Sequence, residues 1–420
     1  MGADDARVVV MGLGYIGLPT AAVLARAGKR VIGVDVSERH VNAVNAGEVP
    51  FVEDGLAEVV AQVVRDGLLT AQKQTPAGDV FIIAVPTPFA EGHKADLSYI
   101  DAATKAMAPQ LTGHELVILE STSPPGTTEH VRDLLAHLRP ELTDLQFAHA
   151  PERVLPGRIM VEMVTNDRII GGITPEAAER AAALYASFCK AELHLTDATT
   201  AEMAKLTENA FRDVNIAFAN ELSLIADQLG IDVWELIELA NKHPRVNILQ
   251  PGPGVGGHCI AVDPWFIVSS SPEHAHLINQ ARLVNDAKPD WVIDQVRAAL
   301  ADDSLAGKDA KTVACLGLAF KPDIDDLRES PSLRIVERLA AEVEGIDVWA
   351  VEPNVTELPR SLSGRGVTLV DLEHAAGADV VVLLVDHKEF KAIPAEHLEG
   401  RLLVDTKGLW RRRRPQTVTT

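Results

Sequence analysis

Apolar runs separated by helical stretches dominate the first part of the chain. A valine-rich run spans 7–11 and ends in a glycine-rich turn, after which the spacing of apolar residues becomes helical. A second run over 31–34 ends at Asp35, and further runs span 80–85 and 116–119. Short apolar runs that alternate with helical segments are typical of a parallel sheet covered by helices on both faces. We therefore predict a doubly wound α/β domain at the N-terminus.

The middle of the chain is predicted to be helical. Thr199, with Glu202 three residues later, fits a capping box at the start of a long helix. The helical spacing continues to about Leu229, and Gly230 then serves as a C-terminal cap. A loop rich in proline and glycine, over 250–258, interrupts a helical pattern that otherwise extends to about residue 300.

A second series of strands follows this helical part. The apolar runs that predict it lie at 312–316, 347–351, 380–385 and 402–404. The predicted fold class is thus α/β, with two Rossmann-like, doubly wound parallel-sheet domains joined by a central helical domain that contains a long helix. We place the domains at 1–198, 199–300 and 301–412, followed by a tail at 413–420. The four arginines at 411–414 are interpreted as a solvated end.

Composition excludes several classes of protein. The 420 residues are 47% hydrophobic, and their net charge of −21 argues against non-specific binding to nucleic acid or to anionic membranes. Three scattered cysteines are too few for a disulfide framework, which fits the reducing cytosol. No apolar run approaches the roughly 18 residues of a membrane span, and the N-terminus lacks the basic region of a signal peptide. We expect a cytoplasmic protein without nucleic-acid or membrane partners.

The first glycine turn has the pattern of a dinucleotide site. The G-x-G-x-x-G spacing follows a strand and opens a helix, and an acid closes the next strand about 20 residues later. Gly12 allows the tight turn, Gly14 lets the backbone approach a pyrophosphate, and Gly17 allows close packing of the helix on the sheet. Asp35 can accept hydrogen bonds from ribose hydroxyls and repels a 2′-phosphate, so we predict NAD rather than NADP as the cofactor. The alternative is a glycine turn that serves packing alone.

Threonine residues follow two other predicted strands. Thr87 lies between prolines after the run at 80–85, and Thr122 precedes a proline pair after the run at 116–119. Proline cannot continue a central strand, so both threonines mark carboxyl ends, where doubly wound sheets bind their ligands. We predict that the two hydroxyls point at cofactor or substrate, although plain turn residues would show the same pattern.

The strongest candidate for covalent chemistry is Cys259. It follows a loop with four glycines, which would let substrate and backbone come close to the sulfur. Cys189 and Cys315 lie in segments where a cysteine usually serves packing. Asp263, four residues after Cys259, could act through water as a base or simply cap a turn. Together with His258, these residues lack a recognised zinc spacing, so no metal site is predicted.

One stripe of the predicted long helix carries polar groups that could bind an anion or polarise an oxygen. Lys205, Asn209 and Arg212 are spaced i, i+4 and i+7, which puts them on one helix face. A solvated helix face without a chemical role would show the same spacing.

Long strings at these positions resemble the UDP-glucose/GDP-mannose dehydrogenase family, whose members oxidise sugar nucleotides with NAD. The resemblance covers nearly the whole chain. The matching strings include GLGYIGLP at 12–19, AVPTPF at 84–89, ESTSP at 120–124, PERVLPG at 151–157, HPRVNILQPGPGVGGHCIAVDPWF at 243–266 and IDDLRESP at 324–331. The resemblance implies an N-terminal NAD domain, a central long helix that mediates dimerisation, and a C-terminal domain for the nucleotide sugar.

The resemblance also implies catalytic roles for individual residues. Cys259 matches the catalytic nucleophile, Lys205 the catalytic lysine, and Asn209 the asparagine that binds an oxyanion. Asp263 matches the aspartate that helps to activate water, and Glu152 matches the glutamate of a Pro-Glu motif. The full catalytic set is Cys259, Lys205, Asn209, Asp263, Glu152 and Thr122.

Cofactor and substrate contacts are implied in the same way. Cofactor contacts are expected from Gly12, Gly14, Tyr15, Ile16, Gly17, Asp35, Thr87, Thr122 and Arg328. Substrate contacts are expected from Arg153, Val154, Lys205, Asn209, Arg212, His243, Arg245, Gly256, Phe320 and Lys321. Arg245 is expected to reach across the interface of a homodimer.

Two positions bear on the identity of the sugar. Arg153 stands where glucose-oxidising members have an aromatic residue, and His258 stands where they tend to have serine. The branch that oxidises N-acetylglucosamine shares the Gly-Gly-His-Cys string, but the longer match through Ala261 and Trp265 favours the mannosamine branch.

The resemblance therefore implies four-electron oxidation of UDP-N-acetyl-D-mannosamine at carbon 6, for the synthesis of surface polysaccharides. Two NAD+ are expected per substrate, with a cysteine thiohemiacetal and a thioester as intermediates. Two alternatives within the family stay open, namely UDP-N-acetylglucosamine and UDP-glucose as substrates. An alternative of another class is a non-catalytic protein that binds NAD or a nucleotide sugar.

Overall fold

The computed structural model describes residues 6–155, 157–257 and 259–410, and the chain divides into two compact units. Unit 1 is formed by residues up to 208 together with 269–272, and unit 2 by 209–268 and the residues from 273 onward. His258 and the arginines at 411–414 lie outside the described residues. The three-domain division at 198 and 300 remains a prediction.

Unit 1 is a doubly wound α/β structure. Its strands are β1 (Arg7–Met11), β2 (Arg30–Val34), β3 (Leu69–Gln72), β4 (Val80–Ile83), β5 (Leu116–Leu119), β6 (Gln146–His149), β7 (Arg168–Gly172) and β8 (Leu193–Asp197). Its helices are α1 (Gly17–Arg26), α2 (Glu38–Asn45), α3 (Leu56–Arg65), α4 (Ser98–Met107), α5 (Thr127–Leu138), α6 (Ile159–Thr165) and α7 (Pro175–Tyr185). A further helix, α8 (Ala198–Leu229), begins in unit 1 and ends in unit 2.

The sheet of unit 1 has the order β3-β2-β1-β4-β5-β6-β7-β8. Neighbouring strands are parallel except for β6 and β7, which pair antiparallel. Alternate residues of β1 fill both faces, because Val8 and Val10 pack into one apolar cluster and Val9 and Met11 into the other. The strand order reverses between β1 and β4, which is where doubly wound sheets bind their ligands.

The start of α8 differs from the prediction, because the capping box is wrong. The helix begins at Ala198, so Thr199 lies inside it. The buried carboxylate of Glu202 does not bond to the start of its own helix. It accepts hydrogen bonds from the N–H groups of Gly126 (2.6 Å) and Thr128 (2.7 Å) at the start of α5. Those N–H groups have no partner within their own helix, whereas the start of α8 is capped by Asp197, whose carboxylate accepts the N–H group of Thr200 (2.8 Å). Burial raises the pKa of Glu202 to about 7.

The end of α8 agrees with the prediction. The helix ends at Leu229, and Gly230 follows with a φ of +68°, a conformation that favours glycine. The N–H group of Gly230 donates to the carbonyl of Asp227 (3.1 Å). No helix in the described part of the chain is long and apolar enough to span a membrane.

Unit 2 combines helices with a smaller parallel sheet. Its helices are α9 (Val233–Ala240), α11 (His276–Leu300), α12 (Pro331–Glu342), α13 (Leu372–Ala375), α14 (Lys388–Lys391) and most of α10 (Asp263–Ser270), whose last two residues belong to unit 1. Its strands are β9 (Lys311–Leu316), β10 (Ile346–Val351), β11 (Val367–Leu369), β12 (Val380–Leu383) and β13 (Leu402–Asp405). The sheet order is β11-β10-β9-β12-β13, with all pairs parallel. The prediction of two doubly wound sheets is therefore confirmed.

The two sheets share one turn geometry. Gly12 follows β1 and Gly317 follows β9, and both have a φ of +97°. An acid closes the neighbouring strand in each case, Asp35 after β2 and Glu352 after β10. The residue after each glycine donates its N–H group to that acid, at 2.8 Å in both units. The same turn is thus built twice, with a different acid in each copy.

Candidate active site

The three glycines of the first turn serve different purposes. A Cβ on Gly12 would lie 2.4 Å from the carbonyl oxygen of Ala84, and one on Gly17 would lie 1.9 Å from the carbonyl oxygen of Gly12. Both glycines are therefore required by packing. A Cβ on Gly14 would meet no atom within 4 Å beyond its chain neighbours. Packing does not explain Gly14, whereas the approach of a pyrophosphate to the start of α1 does.

Asp35 is held in place by backbone groups. One of its carboxylate oxygens accepts the N–H group of Leu13 and the other accepts that of Ser37, both at 2.8 Å. The Nδ1 atom of His40 lies 3.5 Å from the first oxygen. Because a carboxylate has about four acceptor positions, Asp35 keeps capacity for a ribose hydroxyl beside these three contacts. The turn therefore fits the predicted dinucleotide.

The other expected cofactor contacts in unit 1 lie on neighbouring turns. The hydroxyl of Thr87 donates to the carbonyl of Thr122 (2.6 Å), so the turns after β4 and β5 are tied together. Tyr15 is 42% exposed, and its ring stacks on Phe51 with centroids 4.3 Å apart. Ile16 occupies the N-cap position of α1. The hydroxyl proton of Thr87 is therefore used within the protein.

Glu152 and Arg153 are adjacent but have separate partners. The buried carboxylate of Glu152 accepts from Nη2 of Arg168 at 2.5 Å and from the N–H group of Arg153 at 2.7 Å. The guanidinium of Arg153 forms an ion pair with Glu208 (2.5 Å) and donates to the carbonyl of Asp167 (3.0 Å). Its side chain is 28% exposed, which leaves part of the cation open to a ligand.

Two other residues expected in the substrate site of unit 1 have contrasting surroundings. Val154 packs against the apolar core of the unit, so its side chain contributes to stability. Lys205, in α8, is half-buried, and its amino group has no hydrogen bond or ion pair among the described residues. A lysine that is partly removed from water without a protein partner is suited to hold an anionic group.

Asn209, Cys259 and Asp263 come together in unit 2. Cys259 is exposed. Its carbonyl accepts the N–H group of Asp263 (2.8 Å), which places Cys259 one turn before the start of α10. The side chain of Asp263 is buried, and its carboxylate accepts from the amide of Asn209 (2.5 Å). The start of a helix favours a negative charge, which would assist a thiolate at this position.

The glycine loop before Cys259 is shaped by packing. A Cβ on Gly256 would lie 2.4 Å from the carbonyl oxygen of Glu329, and a Cβ on Gly257 would lie 2.8 Å from the ring of Phe320. These glycines therefore admit neighbouring protein segments, and the prediction that the loop also lets substrate approach the sulfur remains a prediction. The N–H group of Gly252 donates to Asn220 (2.9 Å), which anchors the loop to α8.

The remaining expected substrate residues of unit 2 include three basic side chains, those of Lys321, Arg212 and Arg245. The amino group of Lys321 lies 5.7 Å from the centre of the Phe320 ring. Arg212, His243 and Arg245 are exposed, and the N–H group of Arg245 donates to Nδ1 of His243 (3.3 Å). Exposed arginines would suit a diphosphate.

Arg328, expected at the cofactor, is held by a carboxylate. Its guanidinium donates two hydrogen bonds to Asp326, at 2.8 and 2.6 Å. A cofactor phosphate would have to compete with Asp326 for this side chain. The role of Arg328 therefore remains a prediction.

The three cysteines have different environments. Cys315 lies within β9, where burial raises the pKa of its thiol to about 12. Cys189 is buried and its sulfur lies 3.6 Å from the carbonyl oxygen of Asn166. Cys259 is exposed. This contrast agrees with a packing role for the first two.

Several partners of the site residues were not predicted from the sequence. Arg168 and Glu208 hold Glu152 and Arg153, and Asp326 holds Arg328. The sequence held at most a partial signal for Arg168: a charged residue opens the apolar string RIIGG of β7, but arginines also open β1 and β2, where they are exposed. Such a residue needs a partner when the strand is buried.

A mostly parallel, doubly wound sheet with a dinucleotide turn, followed by a second, parallel sheet, is the fold of an NAD-dependent oxidoreductase. Family profiles match the chain in three segments: the NAD binding domain of the UDP-glucose/GDP-mannose dehydrogenase family at 6–189, its central domain at 199–287 and its UDP binding domain at 314–412. The protein belongs to the UDP-glucose/GDP-mannose dehydrogenase family. The resemblance seen in the sequence is thereby confirmed.

Individual relatives extend along almost the whole chain. UDP-N-acetyl-D-mannosamine dehydrogenase of Salmonella typhi is 56% identical over 96% of this chain and 99% of its own. NDP-N-acetyl-D-galactosaminuronic acid dehydrogenase of Ralstonia nicotianae is 52% identical, with 98% of each chain covered. The solved structure of UDP-D-ManNAc dehydrogenase from Pyrococcus horikoshii matches with a TM-score of 0.86 and 40% identity, covering 97% of this chain and 96% of that one.

Proposed function

We propose that this enzyme oxidises carbon 6 of UDP-N-acetyl-D-mannosamine to the carboxylate, for the synthesis of surface polysaccharides. The observation that carries the reaction type is the exposed Cys259 one turn before α10, whose carbonyl accepts the N–H group of Asp263, the partner of Asn209. A dehydrogenase that removes only two electrons needs no thiol, whereas oxidation to an acid needs a nucleophile that captures the aldehyde. The choice of sugar is supported by the names of the relatives and by Arg153.

In the proposed mechanism, the turn at Gly12 and the carboxylate of Asp35 would hold NAD+, which would supply a hydride acceptor for each of two successive oxidations at carbon 6, so that two NAD+ would be consumed. The thiolate of Cys259 adds to the aldehyde carbon, and the resulting thiohemiacetal is oxidised to a thioester. Water then attacks the thioester carbon, which releases the carboxylate and returns the thiol. Sulfur is suited to this task because it retains the aldehyde between the two oxidations.

The proposed roles of the polar residues follow from the charges that develop. The alcohol, the thiohemiacetal and the hydrolytic intermediate each place negative charge on an oxygen, which Lys205 and Asn209 would stabilise. Asp263 would orient the water, while its bond to Asn209 fixes the amide. Glu152 and Thr122 complete the proposed catalytic set, and the exposed cations of unit 2 would bind the diphosphate.

A panel of UDP-sugars tests the proposed function. With NAD+, UDP-N-acetylmannosamine should yield two NADH per sugar and a product heavier by one oxygen and lighter by two hydrogens. UDP-N-acetylglucosamine, UDP-N-acetylgalactosamine and UDP-glucose should show values of kcat/KM at least about tenfold lower. Efficient oxidation of UDP-glucose alone would refute UDP-N-acetylmannosamine as the substrate. Formation of one NADH per sugar would refute the thioester route. Formation of no NADH would favour a non-catalytic binding protein.

A pair of arginine variants sharpens this test. Arg153→Ala should lower kcat/KM for the preferred sugar by about tenfold, because an open cation beside Glu152 is lost. Arg158→Ala is the matched control, since Arg158 lies on the same segment, is largely exposed and pairs only loosely with Glu162 (3.6 Å). Equal effects of the two substitutions would contradict a substrate role for Arg153.

The choice of cofactor is tested at Asp35. Asp35→Asn removes the charge that excludes a 2′-phosphate but keeps an oxygen that can accept the N–H group of Leu13. We expect at least about tenfold weaker use of NAD+ and detectable use of NADP+, measured as kcat/KM for each cofactor. Glu38→Gln, an exposed acid at the start of α2, is the control. Comparable use of both cofactors by the wild-type enzyme would contradict the role of Asp35.

We also propose that the enzyme is a cytoplasmic homodimer. In unit 2, α8 exposes the large apolar side chains of Phe211, Phe218 and Ile225 at seven-residue intervals, with Leu229 one turn further. A helix stripe of this kind is suited to pairing with a second copy. The acidic chain and its three free cysteines support a cytosolic location.

A further inference from the structure

A buried polar cluster in unit 1 lies behind Glu152. Its second carboxylate belongs to Glu120, which follows β5 and is 1% exposed. One oxygen of Glu120 accepts from the hydroxyl of Thr20 on α1 (2.9 Å), and the other accepts from the hydroxyl of Tyr185 on α7 (3.1 Å). The family comparison assigns no role to this residue, and the mechanism above does not use it.

Arg168 connects the two carboxylates unequally. Its Nη2 atom donates to Glu152 at 2.5 Å, whereas its Nη1 atom stays 3.9 Å from Glu120, too far for a hydrogen bond. Nη1 and Nε have no hydrogen-bond partner among the described residues. The guanidinium also lies over the rings of Tyr185 (4.8 Å) and Phe188 (5.3 Å), distances from its Cζ atom to the ring centres, so aromatic contacts help to hold it in place.

The charges of this cluster do not balance when both acids are ionised. One guanidinium would then face two carboxylates away from water, and the excess negative charge would be costly. Burial raises the pKa of Glu120 to about 8, against the attraction of Arg168 and with the help of the charge on Glu152. Burial and the charge on Glu152 therefore favour the protonated form of Glu120, with Arg168 paired to Glu152.

We propose that Glu120 is a positioning residue for Glu152, acting through Arg168. While Glu120 is protonated, the guanidinium stays on Glu152 and fixes its carboxylate. When Glu120 ionises, it competes for the unpartnered Nη1 atom, draws the guanidinium across the 3.9 Å separation and releases Glu152. The titratable and charged groups that face Glu120 are Tyr185 from α7, Arg168 from β7 and Glu152 after β6. This inference rests on the proposed participation of Glu152 in the reaction.

The test compares profiles of kcat against pH at saturating UDP-N-acetylmannosamine and NAD+. Glu120→Gln has the shape of the protonated acid but cannot ionise. The ratio of its kcat to that of the wild type should rise about tenfold between about pH 7 and about pH 9, because a single ionisation changes the populations by this amount. Melting temperatures at each pH show whether the variant is folded.

Two further variants keep the test decisive. Tyr185→Phe removes one hydrogen bond to the ionised acid, so the alkaline fall of kcat should move to higher pH. Glu115→Gln alters a buried glutamate at the other end of β5, which accepts backbone hydrogen bonds from Gly113 and His114, and its profile should match the wild type. If Glu120→Gln does not fold, the pH at which kcat of Tyr185→Phe falls still tests the inference.

Specific outcomes would overturn the inference. A ratio for Glu120→Gln that is constant over the pH range would indicate a purely structural role. A Tyr185→Phe enzyme whose kcat falls at the same alkaline pH as that of the wild type would also indicate a purely structural role. A wild-type enzyme that forms no NADH with any UDP-sugar would refute the proposed function and this inference with it, whereas an active wild type with a constant ratio would refute the inference alone.

Discussion

We expect the Cys259→Ser enzyme to form no uronate, while it still binds the UDP-sugar and NAD+. A serine hydroxyl is a far weaker nucleophile at neutral pH than a thiolate, so the aldehyde is not captured efficiently and the second oxidation stops. Binding should persist because the turn at Gly12 and the cations of unit 2 are unchanged. Mass spectrometry of the product and the count of NADH per sugar measure the effect.

The other two cysteines provide the controls. Cys189→Ser and Cys315→Ser should retain two NADH per sugar, because both thiols are buried. The change at Cys315 puts a hydroxyl into an apolar strand and should cost about 1–3 kcal/mol of unfolding free energy. Alkylation should modify Cys259 first, and bound UDP-sugar should protect it. Near-wild-type turnover of Cys259→Ser with two NADH per sugar would exclude covalent catalysis at this residue.

Lys205→Ala should lower kcat by at least about 10²-fold, the scale typical of removing one group that stabilises an oxyanion. The effect on the KM for NAD+ should be small. Stability should change little, because the amino group has no hydrogen bond or ion pair among the described residues. Stopped-flow measurement of NADH formation separates the two oxidations from product release.

The matched control is Lys190→Ala, which removes an exposed lysine elsewhere in unit 1. Lys205→Arg keeps the positive charge and should recover only part of the rate, since a planar guanidinium does not reproduce the position of an ammonium group. A kcat of Lys205→Ala within about threefold of the wild type would show that the charge is not needed in the chemistry.

Strands whose apolar runs are buried on both faces could be predicted from the sequence, and strands with a buried charge or an exposed surface could not. The runs of β1, β2 and β5 were located almost to the residue, and the arginines that open β1 and β2 are exposed. By contrast, the arginine that opens β7 is buried, and β8 is exposed along most of its length. Such strands are stabilised by partners distant in sequence, which a local pattern does not contain.

The same distinction applies to the site. The conformation of Gly12 follows from its own turn, so its role could be read locally. The partner of Glu152 is 16 residues away, and that of Arg153 is on α8. Glu202 shows how a local rule fails: its spacing from Thr199 fits a capping box, but the N–H groups at the start of α5 hold its carboxylate. The orientation of the Glu152, Arg153 and Glu202 side chains is therefore determined by hydrogen-bond and ion-pair partners distant in sequence.

The repeated glycine turn has a consequence for engineering. Glu352, the counterpart of Asp35, accepts hydrogen bonds from the backbone of Leu318 and Ala319 and lies 3.1 Å from Nε2 of His387. Burial alone would raise the pKa of Glu352, but the hydrogen bonds from His387 and the backbone outweigh it and hold the value at about 2. In the first copy of the turn, Asp35 can therefore be changed to alter the choice of coenzyme. In the second copy, Glu352 is fully used in hydrogen bonds that stabilise the fold. Substitutions that change cofactor preference can therefore be made at the first copy. A ribose site at the second copy would require breaking the hydrogen bonds between Glu352 and its partners Leu318, Ala319 and His387.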